Sequence, residues 1–514
     1  MSTVPLPDEP SLEQLRNQAR ELQRAVRSGD PAALAELAER HPRPSDAAAR
    51  PSFSLSAAQL VVARRHGFDS WVRLRDHVEV VRRYSRFPAR MAAGQPVDLA
   101  DRFLRLACLD YDAVGPEQWR EARQLLVAHP EITEGNLHAA SAAGDPDAVG
   151  RALAADSAAA NREGGPYRWT PLFTLAYARH DPDIAEEAVL GAARLLLAAG
   201  ADPDAGFLWH GQTTPFTILT GVFGEGEQGP TLQPRHPHWL ALGRLLLEAG
   251  ANANDGQALY NRMFGTDDDH LEILFEFGLG TGDGGPWRGR LGDAVASPAM
   301  LVRTQLHWAV THGMTRRVQL LVDHGADLVT PFADGRTPAA LAATTGHREL
   351  SDYLVGRGAP PPVLAPRAAL VAALLVPDRA AVEQLLVDHP RLVDDVRARR
   401  PGLMAWAAAA RGSAALELLG QLQGHIDAKG RTDGPSNTPW STALHAAVEI
   451  DDLDLARTLL RLGADPDVRD GRFDSTPLGW AHHLDRPRLV ELLEPLTTPD
   501  AATSAGPDDA SGVV

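Results

Sequence analysis

Thr442-Ala443-Leu444-His445-Ala446-Ala447 opens a stretch that continues to Gly463-Ala464-Asp465-Pro466-Asp467 and closes on Thr476-Pro477-Leu478. These residues spell two short helices, a turn, and the start of a third helix. Thr476 can cap that third helix, with Pro477 at its first position, where the missing N–H costs nothing. Ala446 and Ala447 are small enough to let paired helices approach closely. Leu459-Leu460 gives the second helix an apolar face, and Gly463 follows as a left-handed C-cap. The phrase recurs. Gly325-Ala326-Asp327 leads to Thr337-Pro338, and Gly200-Ala201-Asp202-Pro203-Asp204 leads to Thr214-Pro215-Phe216. Thr304-Gln305-Leu306-His307 repeats the opening. Thr304 to Thr337 is 33 residues, Thr442 to Thr476 is 34, and Gly325 to Gly358 is again 33. A single hairpin cannot bury its apolar face, so stacked neighbours must supply the core.

On these residues the chain resembles an ankyrin-repeat protein. The resemblance implies an all-α solenoid of about ten helical hairpins between about residues 136 and 496, behind an α-helical N-terminal extension. The hairpins centre on His138, Leu172, Phe216, Leu259, His307, Ala339, Leu370, Trp406, His445 and Leu478. The copies around Leu259, Leu370 and Trp406 are degenerate and are placed by spacing. Three insertions depart from the family: Asp181 to Glu187, Gly224 to Pro237 (rich in Gly, Pro and His), and Gly280 to Pro298, which holds Trp287, Arg288 and Arg290. Insertions at 224–237 and 280–298 are either tolerated surface loops or contact loops for a partner.

The expected organisation is a helical extension over 1–95 containing a basic module at 50–90, a helical hairpin at 96–135 leading into the solenoid, the solenoid at 136–496, and a disordered tail at 497–514. Ser11 to Arg27 and Pro31 to Arg40 read as a hairpin broken at Gly29-Asp30, followed by a Pro/Ala linker from His41 to Pro51. Ser56 with Gln59 predicts a capping box for a helix running to His66 and stopped by Gly67. Trp71, Leu74, Val78 and Val81 then form an apolar stripe at helical spacing. The run from Ala57 to Trp71 resembles a small helical module that often precedes ankyrin arrays in bacterial proteins.

Composition narrows the function. Of 514 residues, 44% are hydrophobic and 23% charged, which excludes a disordered chain. The longest apolar run, Ala368 to Val376, is far too short to span a membrane. Met1 to Glu13 is Pro- and acid-rich, which predicts no secretory signal. With Cys108 as the single cysteine, no internal disulfide can form, and a cytoplasmic location is expected. Lys429 is the only lysine, a bias that reads as a high-GC bacterial genome. The net charge of −17 disfavours nucleic acid as a partner. Residues 50–90, however, hold nine Arg against three acids. Docking of that module onto the chain's own acidic solenoid is favoured over an acidic partner or nucleic acid.

No motif for catalysis or cofactor binding stands out. Cys108 lies in an apolar helix and reads as a buried, inert thiol. His307 and His445 occupy the Thr-x-Leu-His motif, where the resemblance implies a bond to backbone across repeats. His236 and His238 lack a third metal ligand. Asp267-Asp268-Asp269 reads as a helix N-terminal cluster rather than a magnesium site. The expectation is therefore a non-enzymatic, monomeric scaffold with no cofactor and no metal, binding another protein through a concave groove and the inserted loops. In the ankyrin framework the groove positions are Tyr177, Trp308, His312, Trp480 and His483, with Trp308 and Trp480 exposed. The alternatives are a regulatory or inhibitory protein whose 50–90 module meets an acidic partner or nucleic acid, and an enzyme built on the solenoid.

Overall fold

A computed structural model describes residues 3–44, 52–112, 115–410, 412–422, 424–430 and 439–498. Most of the expected linker at 41–51 and the tail beyond residue 498 lie outside the described residues. The chain divides into two compact units, Met1–Val302 and Arg303–Val514.

The first unit starts with Leu12–Ser28, capped by Ser11, and Pro31–Arg40, capped by Asp30. Leu55–Arg65 and Trp71–Tyr84 follow. The expected capping box on Ser56 is not used. Ser54 Oγ accepts from Ala57 N at 3.1 Å, the helix starts at Leu55, and Ser56 Oγ lies 2.9 Å from Ser54 Oγ. Leu15, Leu22, Val26, Leu37, Val61 and Val62 bury together with Leu74 and Val78. Val81 joins a second cluster with Leu208, Trp287 and Leu291. The apolar stripe of Trp71–Tyr84 is thus shared between the N-terminal helices and the repeats.

That contact is reinforced by backbone. Ser85–Arg86 (β1) pairs in parallel with Gly206–Trp209 (β2), which pairs antiparallel with Pro215–Thr217 (β3). This small sheet was not foreseen. It takes up the Thr214-Pro215-Phe216 phrase, so the next helix, Ile218–Phe223, is capped three residues later by Thr217. Gly206 is required here, because a Cβ would come within 2.7 Å of Phe216 O and 2.9 Å of the Trp287 ring. Arg83 and Arg86 both reach Glu163, at 2.8 and 3.0 Å.

Paired helices follow: Leu99–Ala107 with Pro116–Ala128, Leu137–Ala142 with Pro146–Ala155, Pro171–Tyr177 with Glu186–Ala198, Ile218–Phe223 with Trp239–Glu248, and Gly256–Met263 with Asp269–Glu276. Leu99–Ala107 packs on Leu137–Ala142, which packs on Pro171–Tyr177.

The helix Pro298–Thr311 contains the boundary between the units, and the second unit continues with Thr315–Asp323, Pro338–Thr344 and Arg348–Gly356, Pro366–Leu375 and Arg379–Asp388, Leu403–Ala409 and Ser413–Gln421, Ala443–Glu449 and Leu453–Arg461, and Pro477–His483 and Pro487–Leu493. An extra helix, Leu392–Arg399, is inserted after Arg379–Asp388. Thr337 and Thr476 cap as expected, accepting from Ala340 N and Gly479 N. Thr304 does not cap. Its helix begins six residues earlier at Pro298, where Ser297 Oγ accepts from Met300 N at 3.3 Å. Gly200, Gly250, Gly325 and Gly463 all have positive φ, as left-handed C-caps require.

Both long insertions are built into the first unit. In the 224–237 insertion, Pro234 O accepts from Arg179 Nε at 2.8 Å, while the Arg179 Nη atoms donate to Ala176 O, Ala178 O and Gly221 O. Among the described residues no carboxylate pairs with the buried Arg179, and burial pushes its pKa down to about 10. Glu225 pairs with Arg235 at 3.0 Å and with the fully buried Arg262. In the 280–298 insertion, Trp287 Nε1 donates to Asp204 O at 3.0 Å, and its ring meets Tyr84 edge-on at 5.0 Å.

Candidate functional site

The five expected groove residues do not share one environment. Tyr177 is fully buried: its hydroxyl donates to Thr217 O at 2.9 Å and its ring stacks on Phe173 at 4.3 Å. Trp480 is 6% exposed, so its expected exposure is corrected. The turn at 470–476 folds over it. Asp470 accepts backbone N–H bonds from Arg472, Phe473 and Ser475, and its Oδ2 takes Trp480 Nε1–H at 3.0 Å. Trp440 and His445 close the other sides, both at 5.4 Å. His483 is exposed at the end of Pro477–His483.

Trp308 and His312 behave differently. Both are half-buried, their rings lie 3.9 Å apart, and His312 Nδ1 is 2.8 Å from Trp308 O. Trp406, also half-buried, comes within 6.4 Å of His312. Sequence reading placed Trp406 only as a degenerate His-like position. The signal was its distance from Trp308, 98 residues, three periods of about 33. Two hairpins that are far apart in sequence therefore bring a partly open aromatic cluster together.

In the same unit, Leu392–Arg399 helps to form a small apolar cleft. Leu370, Leu374, Val396, Leu403, Met404 and Leu419 line it, with Arg397 and Arg400. Arg397 is occupied, donating to Leu422 O at 2.7 Å and to Asp394 at 3.2 Å.

The motif histidines divide. His445 Nε2 bonds Ser475 O at 3.0 Å, and its Nδ1 lies 2.8 Å from Thr442 Oγ1. His138 Nε2 likewise sits 3.0 Å from Trp169 O. His307 instead packs edge-on to Phe332 at 4.8 Å. Cys108 is buried, and burial pushes its thiol pKa up to about 12, so it is a poor nucleophile at neutral pH. Asp267 lies just ahead of the helix Asp269–Glu276. It holds Arg262 at 2.7 Å and Arg235 at 3.4 Å. His236 is buried and its Nδ1 accepts from His238 N, while His238 Nε2 contacts Ile184 O. Among the described residues no group of three or more His, Cys, Asp or Glu side chains is placed to hold a metal ion.

Burial depresses the pKa of both His445 and His180 to about 4, against an ordinary value near 6.5. Such groups are neutral in the fold and bind protons more readily when unfolded. Their contribution is complete above about pH 6.5 and is lost as pH falls towards 4. At pH 5 each should cost about 2 kcal/mol. Asp204, raised by burial to about 6, works in the opposite direction. Asp255 and Asp427 are raised by burial as well, but His77, His138, His236, His307 and His347 are all lowered by it, so the histidines outweigh the carboxylates. The melting temperature should therefore be lower at pH 5 than at pH 7.5; an equal or higher value would contradict this assignment.

Two stretches match known family descriptions. Residues 306–355 match "Ankyrin repeats (many copies)" and residues 440–471 match "Ankyrin repeat". The chain carries ankyrin repeats over these two stretches, and each unit is built of stacked helical hairpins, an all-α fold of the ankyrin type. Such repeats are protein–protein interaction modules, typically without enzymatic activity. Over 52 residues the chain is 46% identical to ARF GTPase-activating protein GIT1 from Homo sapiens, Mus musculus and Rattus norvegicus. The match covers 10% of this chain and 7% of those relatives. The crystal structure of the ankyrin repeat domain of Bcl-3 is 25% identical, matching over 39% of this chain and 91% of that one with a TM-score of 0.24. Among the described residues no helix is long and apolar enough to cross a membrane.

Proposed function

We propose that this chain is a non-enzymatic, cytoplasmic bacterial scaffold that binds a partner protein through the groove of its second unit. The observation that carries this reading is the half-exposed cluster of Trp308, His312 and Trp406, with His483 as a further exposed contact. Exposed aromatics are favoured anchors, because they offer large contact area at low entropic cost. Within this reading, residues 1–95 and the hairpin at 96–135 support the repeat region at 136–496 and do not themselves contact the partner. Affinity capture with the full chain, followed by mass spectrometry, identifies that partner. Trp308→Ala should weaken capture by about 1–3 kcal/mol with the melting temperature nearly unchanged. A large loss of stability would make Trp308 a packing residue.

The regulatory alternative requires a free basic module. Arg65 is instead held by Glu36 at 2.7 and 2.9 Å, Arg64 Nη1 donates to Arg40 O, and Arg83 and Arg86 share Glu163. The full chain should not retain duplex DNA at physiological salt in a mobility-shift assay. Tight, salt-sensitive retention that disappears when Arg64, Arg65, Arg82 and Arg83 are all changed to Ala would promote the regulatory reading.

A further inference from the structure

Four arginines recur in the second unit with the period of the fold. Arg303, Arg336, Arg367 and Arg400 are separated by 33, 31 and 33 residues, one in each of four successive hairpins. Arg303 and Arg336 immediately precede the motif Thr304 and Thr337. Arg367 is the second residue of Pro366–Leu375, and Arg400 lies just ahead of Leu403–Ala409. Equivalent positions in a stacked array fall on one edge, so the four guanidinium groups belong to a single row. His307 feels the charges of Asp334, Arg336, His312 and Arg303, which ties the row to the aromatic cluster.

Three members of the row are already engaged. Arg303 stacks on Phe332 at 4.5 Å and donates to Thr330 O at 2.6 Å, with Asp327 at 3.7 Å. Arg336 is clasped by Asp334 at 2.6 and 2.9 Å and donates to Thr344 Oγ1. Arg367 reaches Asp395 at 3.3 Å. Arg400 has no such partner. Among the described residues its guanidinium makes no hydrogen bond or ion pair, it lines the apolar cleft, and the charges acting on it are those of Arg336 and Arg367. Burial and these like charges both push its pKa down. The chain has a net charge of −17, yet none of the described carboxylates pairs with this half-buried cation.

We propose that the second unit binds an acidic peptide segment of its partner protein, with an Asp or Glu carboxylate on Arg400 and a neighbouring apolar side chain in the cleft formed by Leu370, Leu374, Val396, Leu403, Met404 and Leu419. This rests on the reading of the groove as a protein-binding surface. A carboxylate fits the vacancy because a guanidinium accepts it through two parallel N–H bonds. A polyphosphate strand does not fit. It needs several free cations, whereas Arg336 and Arg367 already hold aspartates, and the adjoining surface is apolar rather than basic.

The test is random-dodecapeptide display against the full chain, followed by fluorescence polarisation of the retained peptides, with a phosphoserine peptide and a duplex DNA oligonucleotide as further probes. Retained peptides should be enriched in Asp or Glu beside Leu, Ile or Phe, and should outbind both other probes. Arg400→Gln should weaken them at least about tenfold while leaving the melting temperature unchanged or higher, since it removes an unpaired cation. A merely structural arginine would show the reverse. Retained peptides without acidic residues, tighter binding of the phosphopeptide or DNA, or acidic peptides indifferent to Arg400→Gln would each overturn the proposal. If peptides bind and Trp308→Ala weakens them but Arg400→Gln does not, the groove reading stands and the acidic specificity falls. If no peptide of any class is retained, both fall.

Discussion

Trp480→Ala should cost the protein about 3–5 kcal/mol of stability, the loss expected when a large aromatic side chain leaves a closed core. Its ring is walled by Trp440, Phe473 and His445, and its N–H completes the set of donors that converge on Asp470. Removal leaves a cavity and deprives a buried carboxylate of one donor, so relaxation of the turn at 470–476 can recover only part of the loss. Denaturant unfolding of the full chain, followed by far-UV circular dichroism, measures the change. Near-native stability combined with lost partner capture would return Trp480 to the groove.

The second large effect is expected at Arg179. Its guanidinium serves four backbone carbonyls, those of Ala176, Ala178, Gly221 and Pro234, from three separate segments of chain. Arg179→Met would keep comparable apolar bulk but strand these acceptors away from water. Each unsatisfied carbonyl costs about 1–3 kcal/mol, against which relief of the buried charge is an offset. A net loss of about 3–5 kcal/mol is expected. The lesion should also be local, since Pro234 tethers the 224–237 insertion. Limited proteolysis should cut the variant within 224–237 at protease levels that leave the parent intact. An equally stable, equally resistant variant would show that the carbonyls find other donors.

The hairpin order was legible because the repeated phrase combines periodicity with chemistry that acts locally. Thr337 and Thr476 cap helices with a bond across three residues, and Gly325 and Gly463 end helices through their own backbone freedom. Where longer-range contacts compete, the local phrase misleads. Thr304 carries the same signature, yet Ser297 and Pro298 start the helix earlier and leave it mid-helix. Thr214-Pro215-Phe216 lies beside a strand, and the extended backbone it needs for pairing displaces the cap to Thr217. Extra helix Leu392–Arg399 and the three strands have no period to announce them. Docking of the 50–90 module was anticipated from its unburied stripe; the partners that bury it, Leu208 and Trp287, were not, because neither has a sequence signature for that role.

The candidate site was legible only in part, for a related reason. Position relative to the motif His says which way a side chain leaves its helix, but not what the neighbouring turn does. At Trp480 the Asp470 turn closes over the ring; at Trp308 it stays partly open. The proximity of Trp406 depends on how far the second unit curves across intervening hairpins, and curvature accumulates from small rotations that no single residue encodes.

The parallel pairing of Ser85 with Leu208 also bears on how the chain comes off the ribosome. Strand β1 emerges about 120 residues before its partner and about 200 before Trp287; at roughly 5–20 residues per second the shorter gap alone lasts roughly 6–25 s. During that interval Val81 and Tyr84 have no surface to cover them, although Leu74 and Val78 can already bury against Leu22 and Val61. The N-terminal helices thus acquire a partial core early and hold one adhesive edge open until synthesis passes residue 290. That edge is where a nascent-chain chaperone would be needed, and where translation pausing or truncation in the first unit would have its strongest consequences.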